Sequence, residues 1–226
     1  MTAKYSDTRC RWKTLVLVVA AMAVLWTPGL GFAGPATDQV KGTVDQVLKI
    51  LTDPTLKGEQ KTKERRSQLR KTVLERFDFS EMSKRSMGRN WNERTPEERK
   101  EFVRLFTDLL ERAYIDRVDG YTGEQILYLE ETADGNYSEV RTKIMTKRNQ
   151  EIPINYRLQK ASSSWEVYDI IIEGVSLVNN YRTQFSNIIR KSPTPSAGYQ
   201  ELVKKMQAKV EGEEKSELGP PKSKVR

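Results

Sequence analysis

Histidine is missing from all 226 residues of the chain, and its single cysteine, Cys10, lies close to the start of the sequence. A Ser-His-Asp triad, a Cys-His dyad and the common zinc sites that rest on imidazole are therefore excluded. Any enzyme built from this chain would have to use Asp, Glu, Tyr, Lys or Ser as its acids, bases and nucleophiles. This composition favours a protein that holds a ligand over a protein that converts one.

Long apolar runs are equally scarce. The longest, residues 15–26, has 12 residues, whereas an α-helix needs about 20 apolar residues to span a bilayer. Four basic residues precede this run, and small residues ending in Ala33 follow it, which is the layout of a cleavable signal peptide. We therefore predict that residues 1–33 are a signal peptide, cleaved after Ala33, and that the rest is exported to the periplasm. The alternative is an uncleaved membrane anchor.

The exported part lacks cysteine, so it can form no disulfide and must be stabilised by its hydrophobic core. The segment after residue 210 is rich in charge and contains Pro220 and Pro221. Such a composition predicts a disordered charged tail over residues 211–226. Residues 34–210 are then predicted to form one domain.

Basic residues exceed acidic ones, and the formal net charge is +8. In an exported protein, this excess suits anionic lipid headgroups or an acidic partner better than nucleic acid. Residues 61–76 form the most basic helical segment, and they are a candidate for contact with such a surface. Ordinary solvation of their charges is the alternative.

Apolar residues spaced three or four apart predict α-helices in the first half of the chain. The clearest is the helix over residues 96–119, where Thr95 and Glu98 form a capping box and Pro96 occupies the first helical position. Its broad apolar face makes it the predicted spine of the fold. The other predicted helices cover residues 38–51, 60–77, 78–88, 178–189 and 199–210.

After Gly120 the apolar period changes from 3.6 to 2, which predicts β-strands. Four strands are predicted, around residues 125–131, 138–147, 152–158 and 165–173, and short turns join them into an antiparallel meander. Because proline cannot donate to a ladder, Pro153 is predicted at an edge or a bulge. Together the elements predict an α+β fold, with a four-stranded sheet curved against several helices and enclosing an apolar pocket.

Two stretches resemble a known family. One is residues 77–83 (FDFSEMS) followed by GRNW at residues 88–91, and the other is residues 173–182 (EGVSLVNNYR). They resemble the MlaC family, also called the toluene-tolerance auxiliary family, and the likeness covers residues 40–210 in the same order. The second stretch is the more specific of the two.

The resemblance implies a periplasmic carrier of phospholipid that serves the asymmetry of the outer membrane. Such a carrier moves lipid between an outer-membrane lipoprotein complex and an inner-membrane ABC transporter with its periplasmic lipid-binding subunit. The implied fold is a nuclear-transport-factor-like sheet with an added helical part, which holds acyl chains in a deep apolar pocket. Phospholipid is then the cargo, no other cofactor or metal is expected, and the carrier is expected to be a monomer.

The candidate pocket lining consists of apolar residues from the sheet and its flanking helices. Periodicity cannot separate a pocket wall from plain core, and opposite faces of one strand cannot line the same pocket. Arg182 is the candidate for contact with a headgroup phosphate, since guanidinium binds phosphate in a bidentate manner; a solvated helix face is the alternative. The pocket candidates are Phe106, Leu109, Tyr114, Ile144, Ile154, Tyr156, Tyr168, Ile170, Val178, Tyr181 and Phe185.

Asp169 interrupts an apolar strand, and its role separates two functions. With Tyr156 or Tyr168 it would form the one plausible acid–base set for an enzyme in a cone-shaped sheet. Alternatively it pairs with Arg141 or Arg157 on a neighbouring strand and is structural. A third hypothesis, a periplasmic chaperone, would require an open apolar groove in place of a closed pocket.

Overall fold

Six helices and one sheet make up the computed structural model, which describes residues 34–212 and 218–220. The predicted signal peptide lies outside these residues. None of the helices within them combines the length and the apolar character needed to cross a membrane.

The helices begin where the sequence offers caps. The Thr95 hydroxyl accepts from the Glu98 N–H and the Glu98 carboxylate accepts from the Thr95 N–H, so the predicted capping box is confirmed. Asp78 caps its helix in the same way, by accepting from the Glu81 N–H. The helices are α1 (Pro35–Thr52), α2 (Thr62–Leu74), α3 (Phe79–Met87), α4 (Pro96–Asp119), α5 (Leu177–Arg190) and α6 (Pro195–Glu211), and single 3-10 turns cover Pro54–Leu56, Glu59–Lys61 and Gly88–Trp91.

The sheet is an antiparallel meander, as predicted, with the strand order β1-β2-β3-β4-β5. It contains a fifth strand that the sequence pattern did not indicate. Glu173 and Gly174 both have positive φ, at 50° and 80°, and they turn the chain back so that two residues pair with β4 before α5 begins. The strands are β1 (Gln125–Asp134), β2 (Tyr137–Met145), β3 (Glu151–Ala161), β4 (Ser164–Ile172) and β5 (Val175–Ser176).

The prediction for Pro153 is wrong, because this proline lies in β3, the central strand. It pairs with Lys143 of β2, while the ladder between β3 and β4 reaches only Ile154 and Ile172. The Pro153 carbonyl accepts from the N–H of Glu173, the residue just past β4. The position suits proline because the ladder with β4 has already ended there.

The apolar core is divided into three clusters. The helical cluster unites residues of α3, α4, α5 and α6 around the fully buried Phe102, Phe106 and Phe185. The sheet cluster joins α1 to one end of the sheet. The third cluster is small and contains Ile50 and Leu69. The helical and sheet clusters are joined through the partly buried Phe77, which packs against both.

Ion pairs connect α2 to α4. Arg65 and Arg66 both donate to the Asp119 carboxylate, at 3.1 Å and 2.9 Å, and Arg70 contacts both Asp108 and Glu111. As predicted, α2 is solvated on most of its surface. The structure adds that its arginines are already engaged by carboxylates of the same protein.

Three residues of the predicted tail, Leu218 to Pro220, are packed against the domain. Leu218 is only 1% exposed and belongs to the helical cluster. The Gly219 N–H donates to the Gln184 side chain, and the Gly219 carbonyl accepts from Asn180 and Gln184. Within the described residues, Leu218 to Pro220 anchor the tail to the domain, and we call them the tail strap. Disorder in the other tail residues that lie outside the described part stays a prediction.

Candidate functional site

One face of the sheet, here called the inner face, contacts α1. At one end of this face, Val140, Leu158 and Val167 are at most 1% exposed and pack against Ala36 and Val40 of α1. Side chains alternate along a strand, so the same face continues through every second residue of each ladder. The inner face is therefore mostly apolar, although Glu131, Ser138 and Thr142 also lie on it, and α1 covers only part of it.

The other end of the inner face carries isoleucines. The register places Ile126 opposite Ile144, Ile144 opposite Ile152, and Ile154 opposite Ile172. Each of these side chains is only half-buried. Apolar surface assembled in this way and left partly uncovered is typical of a binding site. The six isoleucines of this patch are Ile126, Ile144, Ile152, Ile154, Ile170 and Ile172.

Tyr156 and Tyr128 lie beside the isoleucine patch on the inner face and pack against the sheet cluster. Burial raises the pKa of the Tyr156 phenol to about 12, although part of its side chain is still accessible. Burial, followed by the charges of Tyr156 and Asp45, also raises the pKa of Tyr128. Both phenols therefore lie in surroundings that disfavour charge, as the wall of an apolar site does.

Three tyrosine hydroxyls are buried without a hydrogen-bond partner among the described residues. They belong to Tyr114, Tyr128 and Tyr181. Burying an unpaired hydroxyl costs about 1–3 kcal/mol, and most buried polar groups avoid this cost. Three unpaired phenols are therefore a feature that packing alone does not explain.

The candidates from the helices lie in the helical cluster, and five of them are at most 6% exposed. Phe106 and Tyr181 meet edge to face with their ring centroids 5.3 Å apart, and Phe106 meets Phe185 at 5.5 Å. Tyr114 packs at the margin of the cluster and is half-buried. The five buried candidates are Phe106, Leu109, Val178, Tyr181 and Phe185.

Tyr168 and Arg182 are set apart from the isoleucine patch. Tyr168 lies at a bulge of β4. Its ring contacts the ring of Tyr137 on the face of the sheet opposite the inner face. The Arg85 guanidinium lies 4.1 Å from the centroid of the Tyr168 ring. Arg182 is exposed on α5, and its side chain lies against Gly88 at the end of α3. The fold brings four candidates together on the inner face, whereas Tyr168 and Arg182 lie elsewhere. The four are Ile144, Ile154, Tyr156 and Ile170.

Asp169 is buried and serves as a structural junction. Its carboxylate accepts from the Ser176 hydroxyl at 2.6 Å and from the Val178 N–H at 3.0 Å, so it ties β4 to the start of α5. The Arg157 guanidinium lies 3.7 Å away, in agreement with the pairing hypothesis. Arg141 instead pairs with Glu130 and Glu139.

Sequence reasoning missed four residues of this face, namely Ile126, Tyr128, Ile152 and Ile172, as pocket candidates. Ile152 and Ile172 alternate in the same sense as the included Ile154 and Ile170, whereas β1, which holds Ile126 and Tyr128, contributed no candidate. The missing information was the register between strands, because only pairing shows which residues of separate strands share a face. Asp, Glu, Cys and His also form no group of three or more able to hold a metal ion within the described part of the chain.

Known proteins are similar to this chain in sequence and in fold. The profile of a family described as MlaC protein matches residues 41–208. The intermembrane phospholipid transport system binding protein MlaC of Haemophilus influenzae is 22% identical over 203 residues, which cover 87% of this chain and 92% of that protein. A phospholipid-binding protein from Ralstonia solanacearum, solved in complex with a phospholipid, matches with a TM-score of 0.70 and 29% identity over 79% of this chain and 98% of the other. Because the profile match covers most of the sequence, the chain belongs to the MlaC family.

Proposed function

We propose that this protein is a periplasmic phospholipid carrier that holds acyl chains between the isoleucine patch and the helices. The observation that carries the proposal is the patch itself, where six isoleucines share one face and remain partly uncovered. The division of the core into three clusters supports the same location. The phospholipid seen with the Ralstonia solanacearum relative supports the choice of ligand.

The energetics of such a cargo require direct transfer. A two-chain phospholipid has about 30 methylenes, and each contributes about 0.8 kcal/mol when it leaves water. The sum, about 24 kcal/mol, exceeds the roughly 18–21 kcal/mol at which non-covalent affinities saturate. Lipid would therefore not escape through water at a useful rate, whereas pocket and bilayer are similarly apolar. We propose that the carrier exchanges lipid while docked on an outer-membrane lipoprotein complex and on an inner-membrane ABC transporter with its lipid-binding subunit.

The enzyme hypothesis is less well supported than the carrier hypothesis. An acid–base role for Asp169 would require a carboxylate that is free to exchange protons within the site. Asp169 instead accepts two hydrogen bonds, lies near Arg157 and is joined to the start of α5. Removing it would disturb the junction of β4 and α5 before it disturbed any chemistry.

The test is native mass spectrometry of the protein purified from its own periplasm. We expect one phospholipid per chain, and a consistently empty protein would contradict the proposal. Ile154→Lys should reduce the lipid-bound fraction by at least tenfold, since it places a charge in the isoleucine patch. Asn155→Lys, one residue away on the opposite face, is the matched control and should bind lipid like the wild type.

Docking is tested by lipid exchange. Purified carrier loaded with a fluorescent phospholipid should exchange slowly with bare vesicles and rapidly with vesicles that contain the transporter complex. Equal rates with both kinds of vesicle would show that docking is not needed.

A further inference from the structure

Tyr114 of α4 and Tyr181 of α5 contribute two unpaired hydroxyls to the helical cluster. Tyr181 is 0% exposed, and its ring is held between Phe106 and Phe185, at centroid distances of 5.3 Å and 5.6 Å. Burial, and then the nearby Tyr114 phenol, raise the pKa of Tyr181. Neither hydroxyl has a hydrogen-bond partner among the described residues. Two donors of the same kind therefore belong to one apolar cluster, Tyr181 within it and Tyr114 packed against it.

Arg117 extends this arrangement towards the solvent. It lies one turn of α4 beyond Tyr114, and its guanidinium is 5.7 Å from the Tyr114 ring centroid. Arg117 is exposed and makes no ion pair in the part of the chain that the structure describes. The order from solvent to interior is thus a cation, a half-buried phenol and a fully buried phenol.

The chemistry of this order matches one class of ligand. A phenol hydroxyl rotates freely and donates one hydrogen bond, and an acceptor that carries no donor of its own suits a site with two such hydroxyls. Ester carbonyls are acceptors of this kind, and in a diacyl glycerophospholipid they lie a few bonds from an anionic phosphate. Acyl chains, which follow the esters, would then reach the apolar residues beyond.

We propose, on the basis of the carrier function above, that Tyr114 and Tyr181 donate hydrogen bonds to the ester carbonyls of a diacyl glycerophospholipid and that Arg117 binds its phosphate. The carbonyls would take the place of the apolar atoms that cover the two hydroxyls in this structure. The acyl ester is thereby distinguished from an ether, which has no carbonyl to accept a hydrogen bond. The site therefore selects for the ester linkage of the lipid.

The experiment compares two lipids that differ only in this linkage. Delipidated protein is incubated with vesicles that contain equal amounts of dipalmitoyl phosphatidylethanolamine and its dihexadecyl ether analogue, and the bound ratio is read by native mass spectrometry. The wild type should favour the ester lipid by about tenfold, since each bond contributes modestly. Tyr114→Phe and Tyr181→Phe should each reduce this preference by threefold or more without weakening binding of the ether lipid. Tyr137→Phe, at an exposed residue on the opposite face of the sheet, should keep the wild-type ratio.

A second readout distinguishes hydrogen bonding to the ligand from a structural role. Because neither hydroxyl has a hydrogen-bond partner among the described residues, Tyr114→Phe and Tyr181→Phe should leave the thermal unfolding midpoint of delipidated protein unchanged or raise it. A fall in the midpoint of both variants would show that the hydroxyls stabilise the fold and would overturn the proposal. If the wild type binds both lipids equally, this inference fails and the carrier function stands. If it binds neither lipid, the carrier function fails as well.

Arg117 is tested with a second pair of lipids. The wild type should take up dioleoyl phosphatidylglycerol in preference to dioleoylglycerol, which has the same esters and no phosphate. Arg117→Gln should lower this preference by about fivefold or more, as loss of a charged contact does, whereas Arg182→Gln should not. The opposite result, with the loss at Arg182, would assign the phosphate to α5 and overturn the role of Arg117.

Discussion

The helical cluster and the isoleucine patch are both apolar, and they differ in how completely they are covered. Phe102, Phe106 and Phe185 are 0% exposed and contact one another through their rings. Ile144, Ile154 and the other members of the patch are only half-buried. The aromatic centre of the first region is closed by its own side chains, whereas the second region leaves apolar surface accessible. Hydrophobicity is common to both regions, and the difference in coverage is the reason why the isoleucine patch is the proposed site.

Truncating one side chain in each region should give the largest contrast. Phe106→Ala removes a fully buried ring and should lower the free energy of unfolding by about 3–5 kcal/mol. Ile154→Ala removes a partly accessible side chain and should cost about 1–2 kcal/mol, because less apolar area returns to water. Urea denaturation of the lipid-free proteins measures both values. Equal losses would mean that the isoleucine patch is packed as tightly as the helical cluster.

The tail strap extends the helical cluster beyond the end of α6, and its loss should lower stability. Leu218→Ala should lower the free energy of unfolding by about 2–3 kcal/mol, since Leu218 is 1% exposed in the helical cluster. Leu129→Ala is the matched control, because Leu129 is 57% exposed and its truncation should change stability by less than about 0.5 kcal/mol. If denaturation curves show the same small effect for both variants, the tail strap does not contribute to the stability of the helical cluster.

The pairing of α2 with α4 should contribute the smallest effect, and it depends on pH. Burial would raise the pKa of Asp119, but hydrogen bonds from Arg65 and Arg66 outweigh burial and hold the pKa below its ordinary value of 3.8. The folded state thus favours the ionised carboxylate, so its contribution is present above about pH 5 and is lost as the pH falls through the lowered pKa.

Asp119→Asn should therefore lose less stability than the wild type on acidification from about pH 6 to pH 3, by about 1 kcal/mol or less. Asp134→Asn, at the exposed hairpin turn, is the control and should follow the wild type. The urea midpoint at each pH is the measurement. Parallel pH curves for Asp119→Asn and the wild type would show that the ion pairs do not stabilise the fold.

Local rules predicted the elements of this fold well. The capping box at Thr95 placed the start of α4, and alternation placed four strands in their meander. Where the prediction failed, a longer-range contact decided the outcome. Pro153 lies in a central strand because the ladder with β4 ends beside it, and β5 exists because Glu173 and Gly174 turn the chain sharply.

Less of the candidate site than of the fold could be predicted from the sequence. Val140 and Ile144 share one pattern in β2, but α1 covers the first and leaves the second half-buried. The pairing of Asp169 with Arg157 was within reach of strand alternation, while its bonds to Ser176 and Val178 depend on the turn before α5. Leu218 has no periodic partners within the tail, so nothing in the sequence marked it as a core residue.

The ion pairs between α2 and α4 also bear on how long the protein stays on a membrane. The guanidinium groups of Arg65, Arg66 and Arg70 are matched by carboxylates on α4, so much of the positive charge of α2 is compensated within the molecule. Attraction to an anionic bilayer grows by about 1 kcal/mol for each uncompensated basic residue near the surface. We therefore expect α2 to add little to the attraction between this protein and an anionic bilayer, so that the time the protein stays bound there depends on other surfaces.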